Sequence, residues 1–400
     1  MNRSHKRYVR LMLACFSVTL LPILALNLQL GRQAMGNTSQ VRQASEWQHV
    51  THGVTYAPTL SDTALFKTLR LHDRLPEINC VVFGSSTALG VPAAAFPPPV
   101  QAYNFAQTGH GLISAIGEAE WLMAHTDNVK YLVVSLDWSL GFIYAEGEPA
   151  VADLAAATAQ QQATTHANTI PLLDRVRDAL SYPRVASLFD ILRQILRAQD
   201  SRAVFRQYFL QAVSDDYRCA DGSWAKDFDT IYRGTCTGFR FDGSATFANL
   251  EPVKDARPLI LSATVSSSKY TINLMSRQGE PNPAILRHLA ALARQAESKG
   301  GKLLLFMPPL LPGMEAAFLQ HPQLSATLAH SKDALRAWAT RENMVILDAG
   351  QSERFGCNAA EFADEHHAFP TCYAKVFAAF WNTHARTDGG SIAWPSGGLY

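Results

Sequence analysis

The sequence has no excess of charge of either sign: 35 Lys and Arg stand against 34 Asp and Glu over 400 residues. A balanced chain offers no field to hold a nucleic-acid backbone, so that class of partner is excluded. Charge is also scarce, at 17% against 48% hydrophobic residues, which excludes a disordered chain. No internal repeat is visible. The 13 histidines are scattered without ligand spacing, so no metal centre is expected, and no cofactor motif is present. Cysteine is sparse, at six residues.

The exception to this moderation is one long apolar run. Residues 11–30, LMLACFSVTLLPILALNLQL, carry no charge, and Arg3, Lys6, Arg7 and Arg10 precede them. Such a run is long enough for a bilayer at 1.5 Å rise per residue. Its basic flank keeps the N-terminus cytoplasmic and exports the rest. An uncleaved transmembrane anchor is the expected reading. A cleaved secretory signal fits the same charge pattern, and both place the remaining chain outside the cytoplasm, in the periplasm or at the outer membrane face. Cysteine usage agrees. Cys15 and Cys80 fall in apolar segments as packing residues, whereas Cys219 with Cys236, and Cys357 with Cys372, form two local pairs. In an exported chain that spacing suggests two disulfides, with unpaired thiols as the alternative.

Residues 1–10 read as a basic tip and 31–75 as a stalk ending in a short helix at TALFKTLRLHDRL. From residue 76 short apolar strands (INCVVFGSS, QAYNFAQTGHG, VKYLVVSLDWS) alternate with helix-length segments. That alternation implies βαβ units and a parallel sheet. Regularity breaks at about 145–255, read as an insertion, helical at first and irregular around Cys219 and Cys236. It resumes with a helix at PAILRHLAALARQAESKG, a strand at KLLLFMPPL and a strand at MVILDAG, and closes with a helix at TCYAKVFAAFWNTHA. The expected fold is thus an α/β, doubly wound, mainly parallel sheet over 76–385. A flexible Gly/Ser-rich tail covers 386–400.

Two phrases carry chemistry. CVVFGSSTALG (80–90) sets Ser86 in a small-residue turn after an apolar strand, and ADEHHAFP sets Asp364 and His367 one turn apart. A serine hydroxyl is a weak nucleophile until a base takes its proton, and the base needs a carboxylate to fix its tautomer. Each phrase alone is weak, because Ser85 or Ser86 also suits a helix cap. His366 is the alternative base, and His110 reads as a loop residue.

Taken together, Gly84-Ser85-Ser86, Gly109 after the second strand and Asp364-x-x-His367 before the last helix resemble the SGNH, or GDSL-like, hydrolase and acyltransferase superfamily. The resemblance covers 78–140 and 283–385 and implies a flavodoxin-like sheet with Ser86 as nucleophile, His367 as base and Asp364 as its orienting acid. It implies an oxyanion hole from the amides of Ser86 and Gly109. One block departs: the family's Gly-x-Asn reads Ser135-Leu136-Asp137 here. A carboxylate donates only when protonated, and an ionised one repels a developing oxyanion. Either Asp137 has another role, or Asn104 or Gly109 compensates, or catalysis is weakened. The architecture is similar to membrane-anchored polysaccharide O-acetylation and D-alanyl-transfer proteins. That likeness implies acyl transfer on a cell-surface glycan beside a multi-spanning membrane O-acyltransferase. Trp138, Tyr217, Trp224 and Tyr232 of the insertion are candidates for a sugar-stacking platform.

Overall fold

The computed structural model of the chain describes residues 3–33, 38–55, 63–137, 172–209, 215–228, 234–265, 278–322, 324–384, 386–388 and 391–400. Its strands in chain order are β1 (Val54–Thr55), β2 (Cys80–Phe83), β3 (Ala102–Asn104), β4 (Tyr131–Ser135), β5 (Tyr217–Arg218), β6 (Trp224–Lys226), β7 (Leu303–Met307), β8 (Val345–Asp348), β9 (Arg386–Asp388), β10 (Ser391–Ala393) and β11 (Gly398–Leu399). The chain forms two compact units, one from 1–66 with 160–236 and the other from 67–159 with 237–400.

The first unit begins with helix α1 (Arg3–Gln33), which contains the apolar run. The expected transmembrane span is not found: among the described residues no helix is long and apolar enough to cross a membrane. The second half of α1 is used for packing instead. Ile23 and Leu26 lie against a cluster of Leu188, Ile191, Ile195, Tyr208 and Phe209. Asn27, 1% exposed, donates to the Ala179 carbonyl at 2.8 Å, and Gln29 donates to that of Phe209 at 2.9 Å. The stalk is also more ordered than its polar composition implies. Residues Thr38–Thr51 form helix α2, and Trp47 of α2 donates to the Asp216 carboxylate at 3.1 Å. A three-stranded sheet of order β1-β6-β5 and the Cys219–Cys236 disulfide complete this unit.

The second unit is built on a six-stranded sheet of order β11-β8-β7-β4-β2-β3, with every neighbouring pair parallel. CVVF of β2 and LLLFM of β7 are buried at every position, as strands covered on both faces require. Cys80 is buried and unpaired in β2. The first strand of this sheet, β2, lies between β3 and β4. The chain therefore reverses its direction of travel across the sheet beside β2, the position at which parallel sheets open a crevice at the carboxyl ends of their strands. The expected α/β fold with a parallel sheet is present. The tail, however, does not hang free. β9 and β10 pair antiparallel, and β11 joins the sheet edge, Gly398 opposite Val345 and Leu399 opposite Ile346.

Candidate active site

Register places the ends of the central strands side by side: Val82 opposite Asn104 and Val133, Phe83 opposite Val134, Ser135 opposite Phe306. Ser86 follows β2 and opens a single helical turn, Ser86–Ala88. Gly84 makes the turn possible, because a Cβ there would lie 2.7 Å from the Ser135 Cβ and 2.9 Å from that of Ala88. Ser85 is 2% exposed, and its hydroxyl accepts from the Thr87 amide at 3.3 Å. It caps the turn, which leaves Ser86 as the partly exposed hydroxyl.

Asp364 and His367 meet Ser86 across 281 residues of sequence. His367 Nδ1 lies 2.6 Å from Asp364 Oδ2, and its Nε2 lies 2.8 Å from Ser86 Oγ. An ionised carboxylate only accepts, so Nδ1 carries the proton and Nε2 accepts from the serine hydroxyl. The other oxygen of Asp364 accepts from the amides of His366 and His367, each at 2.9 Å. Burial opposes ionisation of Asp364. The His367 hydrogen bond, the His366 and His367 charges and the amides outweigh it and hold this carboxyl well below the usual range.

The imidazole hydrogen-bonded to the Ser86 hydroxyl is that of His367. The His366 ring is 8% exposed, with Nδ1 3.5 Å from Asp364 and 3.7 Å from Glu365. Asp364, His366 and His367 bring ligand atoms within 4.8 Å of one another, close enough in principle for a metal ion. Two of the three are already committed to the relay with Ser86.

The expected oxyanion donors divide. Among the described residues the amides of Ser86 and Gly109 have no hydrogen-bond partner, and Gly109 sits exposed in a turn at φ +74° with open space where a Cβ would point. Asn104 is a correction. Its amide nitrogen donates to the carbonyls of Ala88 (2.8 Å), Leu89 (3.2 Å) and Val91 (2.9 Å), and its oxygen accepts from the Ala106 amide. With its donors spent on the segment after Ser86, Asn104 fixes the turn and has nothing left for an oxyanion. Asp137 follows β4 and is 1% exposed, and its Oδ1 accepts from the Ser135 hydroxyl at 3.1 Å and from that of Thr87.

Several supports gave no signal in the sequence. His110 is buried, with Nε2 3.0 Å from Glu118, and Gln107 reaches the same carboxylate at 3.4 Å. Both flank the Gly109 turn, and the Gln107 amide donates to the Gly84 carbonyl at 3.0 Å. Tyr373 donates to the Thr87 carbonyl, and a Cβ on Gly90 would lie 2.8 Å from the Ala368 carbonyl and from the Tyr373 ring. The segments carrying Ser86 and His367 are thus pressed together. Lys67, fully buried, donates to the carbonyls of Asn104 (2.7 Å) and Gly243.

No family model matches the chain, and no curated protein matches it. The site must therefore be read from its own geometry.

Of the candidate sugar platform, Trp138 and Tyr232 lie outside the described residues. Tyr217 and Trp224 belong to the first unit, where Tyr217 donates to Asp227 at 2.9 Å and Arg218 stacks 3.8 Å over Trp224. Both expected disulfides are formed, Cys219–Cys236 and Cys357–Cys372, as befits a chain in an oxidising, extracytoplasmic compartment.

Proposed function

We propose that the protein is an extracytoplasmic serine acyltransferase or esterase acting on O-acyl groups, acetyl foremost, of a cell-surface polysaccharide. The observation that carries the reading is the unbroken relay from Asp364 through His367 to the Ser86 hydroxyl, at 2.6 and 2.8 Å. In this reading His367 Nε2 takes the Ser86 proton as Oγ attacks the ester carbonyl. The amides of Ser86 and Gly109 receive the developing oxyanion. His367 then returns the proton to the leaving alcohol, and a glycan hydroxyl or water resolves the acyl-enzyme. Asp364 keeps the proton on Nδ1 throughout.

The polysaccharide and a membrane O-acyltransferase as source of acyl groups come from the superfamily resemblance. The first half of α1 supports a membrane-proximal setting, since Leu11, Met12, Phe16, Val18 and Leu21 are all exposed on it. A second reading, a glycan-binding protein with a decayed site, draws on Asp137 standing where the family has asparagine. Both are tested on a chromogenic acetyl ester and a fluorophosphonate serine probe. Wild type should turn over and label, and Ser86→Ala and His367→Ala should each lose about 10⁴-fold or more in turnover. Equal turnover in all three proteins would refute the enzyme reading, and glycan binding without turnover or labelling would establish the second.

A further inference from the structure

Asp137 is a buried acid that forms no ion pair with a lysine or arginine among the described residues. Its side chain is enclosed by the hydroxyls of Ser85, Thr87 and Ser135, two of them flanking Ser86 in sequence. Among the described residues, the ionisable groups that bear on it are His366, from the segment carrying the triad, and Tyr373, from the helix Pro370–His384. His366 already lies within 3.7 Å of two other carboxylates, Asp364 and Glu365, so its charge is not reserved for Asp137. Oδ2 is buried with no hydrogen-bond partner among the described residues. A bare carboxylate oxygen in such a place costs far more than a bare hydroxyl, and buried acids in this position take up a proton instead. Burial pushes the Asp137 carboxyl above its usual range, against the opposing hydrogen bonds of the three hydroxyls and the His366 charge.

Resting on the acyl-transfer reading, we propose that Asp137 works as a neutral carboxylic acid and a positioning residue. Its Oδ1 holds the Thr87 and Ser135 hydroxyls beside the nucleophile turn, and its proton keeps a second negative charge away from the oxyanion formed during attack by Ser86. The backbone suits this role. Asp137 has φ +40°, a region that Asp and Asn tolerate better than other side chains. The form required is the protonated one, so turnover falls as pH rises through the ionisation of Asp137.

The test compares full-length wild type, Asp137→Asn and Asp137→Ala. It measures acetyl-ester turnover against pH, fluorophosphonate labelling of Ser86, and the infrared band of protonated carboxyl groups. The asparagine keeps the Oδ1 acceptor and cannot ionise, so D137N should lose the alkaline decline and exceed wild type by about tenfold per pH unit beyond it. D137A leaves two buried hydroxyls without their acceptor and should lose about tenfold or more in kcat across the range. The wild-type spectrum at neutral pH should contain a protonated-carboxyl band that D137N lacks, a difference that separates Asp137 from the buried Glu315. An alkaline decline unchanged in D137N, or no lost band, would overturn the proposal while labelling of Ser86 left the acyl-transfer reading standing. Absence of both turnover and labelling in wild type would overturn that reading and this one together.

Discussion

The two disulfides form a matched pair that separates stability from catalysis. Cys357–Cys372 closes a separation of 15 residues and Cys219–Cys236 one of 17. Closing a loop of about 15 residues is worth roughly 3 kcal/mol in the chain-entropy model. The logarithmic dependence on length makes the two differ by only about 0.1 kcal/mol. Cys357→Ala/Cys372→Ala and Cys219→Ala/Cys236→Ala should therefore destabilise by similar amounts. Their effects on turnover should not be similar. The 357–372 loop contains Asp364 and His367, and its interior retains other restraints: the Asn358–Glu361 capping box, Ala363 donating to the His367 carbonyl at 2.9 Å, and Lys375 on Glu361 at 2.7 Å. These hold the loop's shape but not its seat against Ser86. A shift of about 1 Å in a reacting group can cost 10²-fold, so the first double variant should lose about ten- to a hundredfold in kcat and the second less than threefold. Chemical denaturation and acetyl-ester turnover measure the two quantities independently. Unchanged kcat in C357A/C372A alongside the expected loss of stability would refute the claim that this disulfide seats the base.

Two further perturbations follow from titrating groups. Asp364→Asn removes the anion that fixes the His367 tautomer and should lower kcat by roughly 10⁴-fold. It should also remove a stability term that is present above the unfolded carboxyl's value, about 3.9, and lost as pH falls through the depressed folded one, visible as a flatter acid limb in denaturation curves. Lys67 is the opposite case. Burial lowers its ammonium from 10.5 to about 7, against the pull of Asp242, so between those values the unfolded chain binds a proton that the folded chain does not. Stability should rise with pH across that window, and Lys67→Met should flatten the rise while lowering stability through the lost bonds to the Asn104 and Gly243 carbonyls, as read from urea midpoints near pH 7 and pH 9.

The contacts among Asp364, His367 and Ser86 are legible in the sequence because each of the two phrases obeys a local rule. Ser86 ends a strand and begins a turn, and three-residue spacing lets the Asp364 carboxylate meet both a ring nitrogen and two amides of its own loop. The choice between His366 and His367 is not local. It depends on which imidazole the fold brings to Ser86, and that is His367. The role of Asn104 was invisible for a similar reason: its three carbonyl partners lie 13 to 16 residues earlier, and only the pairing of β2 with β3 brings them into reach. Buried polar side chains such as Asn104, Glu118 and Lys67 resemble surface residues in a sequence, because composition records what a side chain can donate and not whether its partners have been brought to it.

Glycine hides its role in the same way, and the tail shows why. A Gly/Ser-rich segment suggests mobility when glycine is taken as a residue of loose backbone. At Gly397 the relevant property is the missing side chain. A Cβ there would lie 2.5 Å from the Asn343 Cα and 2.6 Å from the Ala339 carbonyl, distances that no rotamer change relieves because both atoms are backbone. The absence of that one carbon lets the chain pass the end of the helix Ser325–Arg341 and enter the sheet as β11. There the Tyr400 amide donates to the Ile346 carbonyl at 2.9 Å and the Asp348 amide to that of Tyr400 at 2.7 Å. Gly84 and Gly90 work on the same principle at the site, admitting Ser135 and Ala368 where a methyl group would collide. In all three places glycine sets a contact distance, and at two of them that distance decides whether a serine and a histidine 281 residues apart can share a proton.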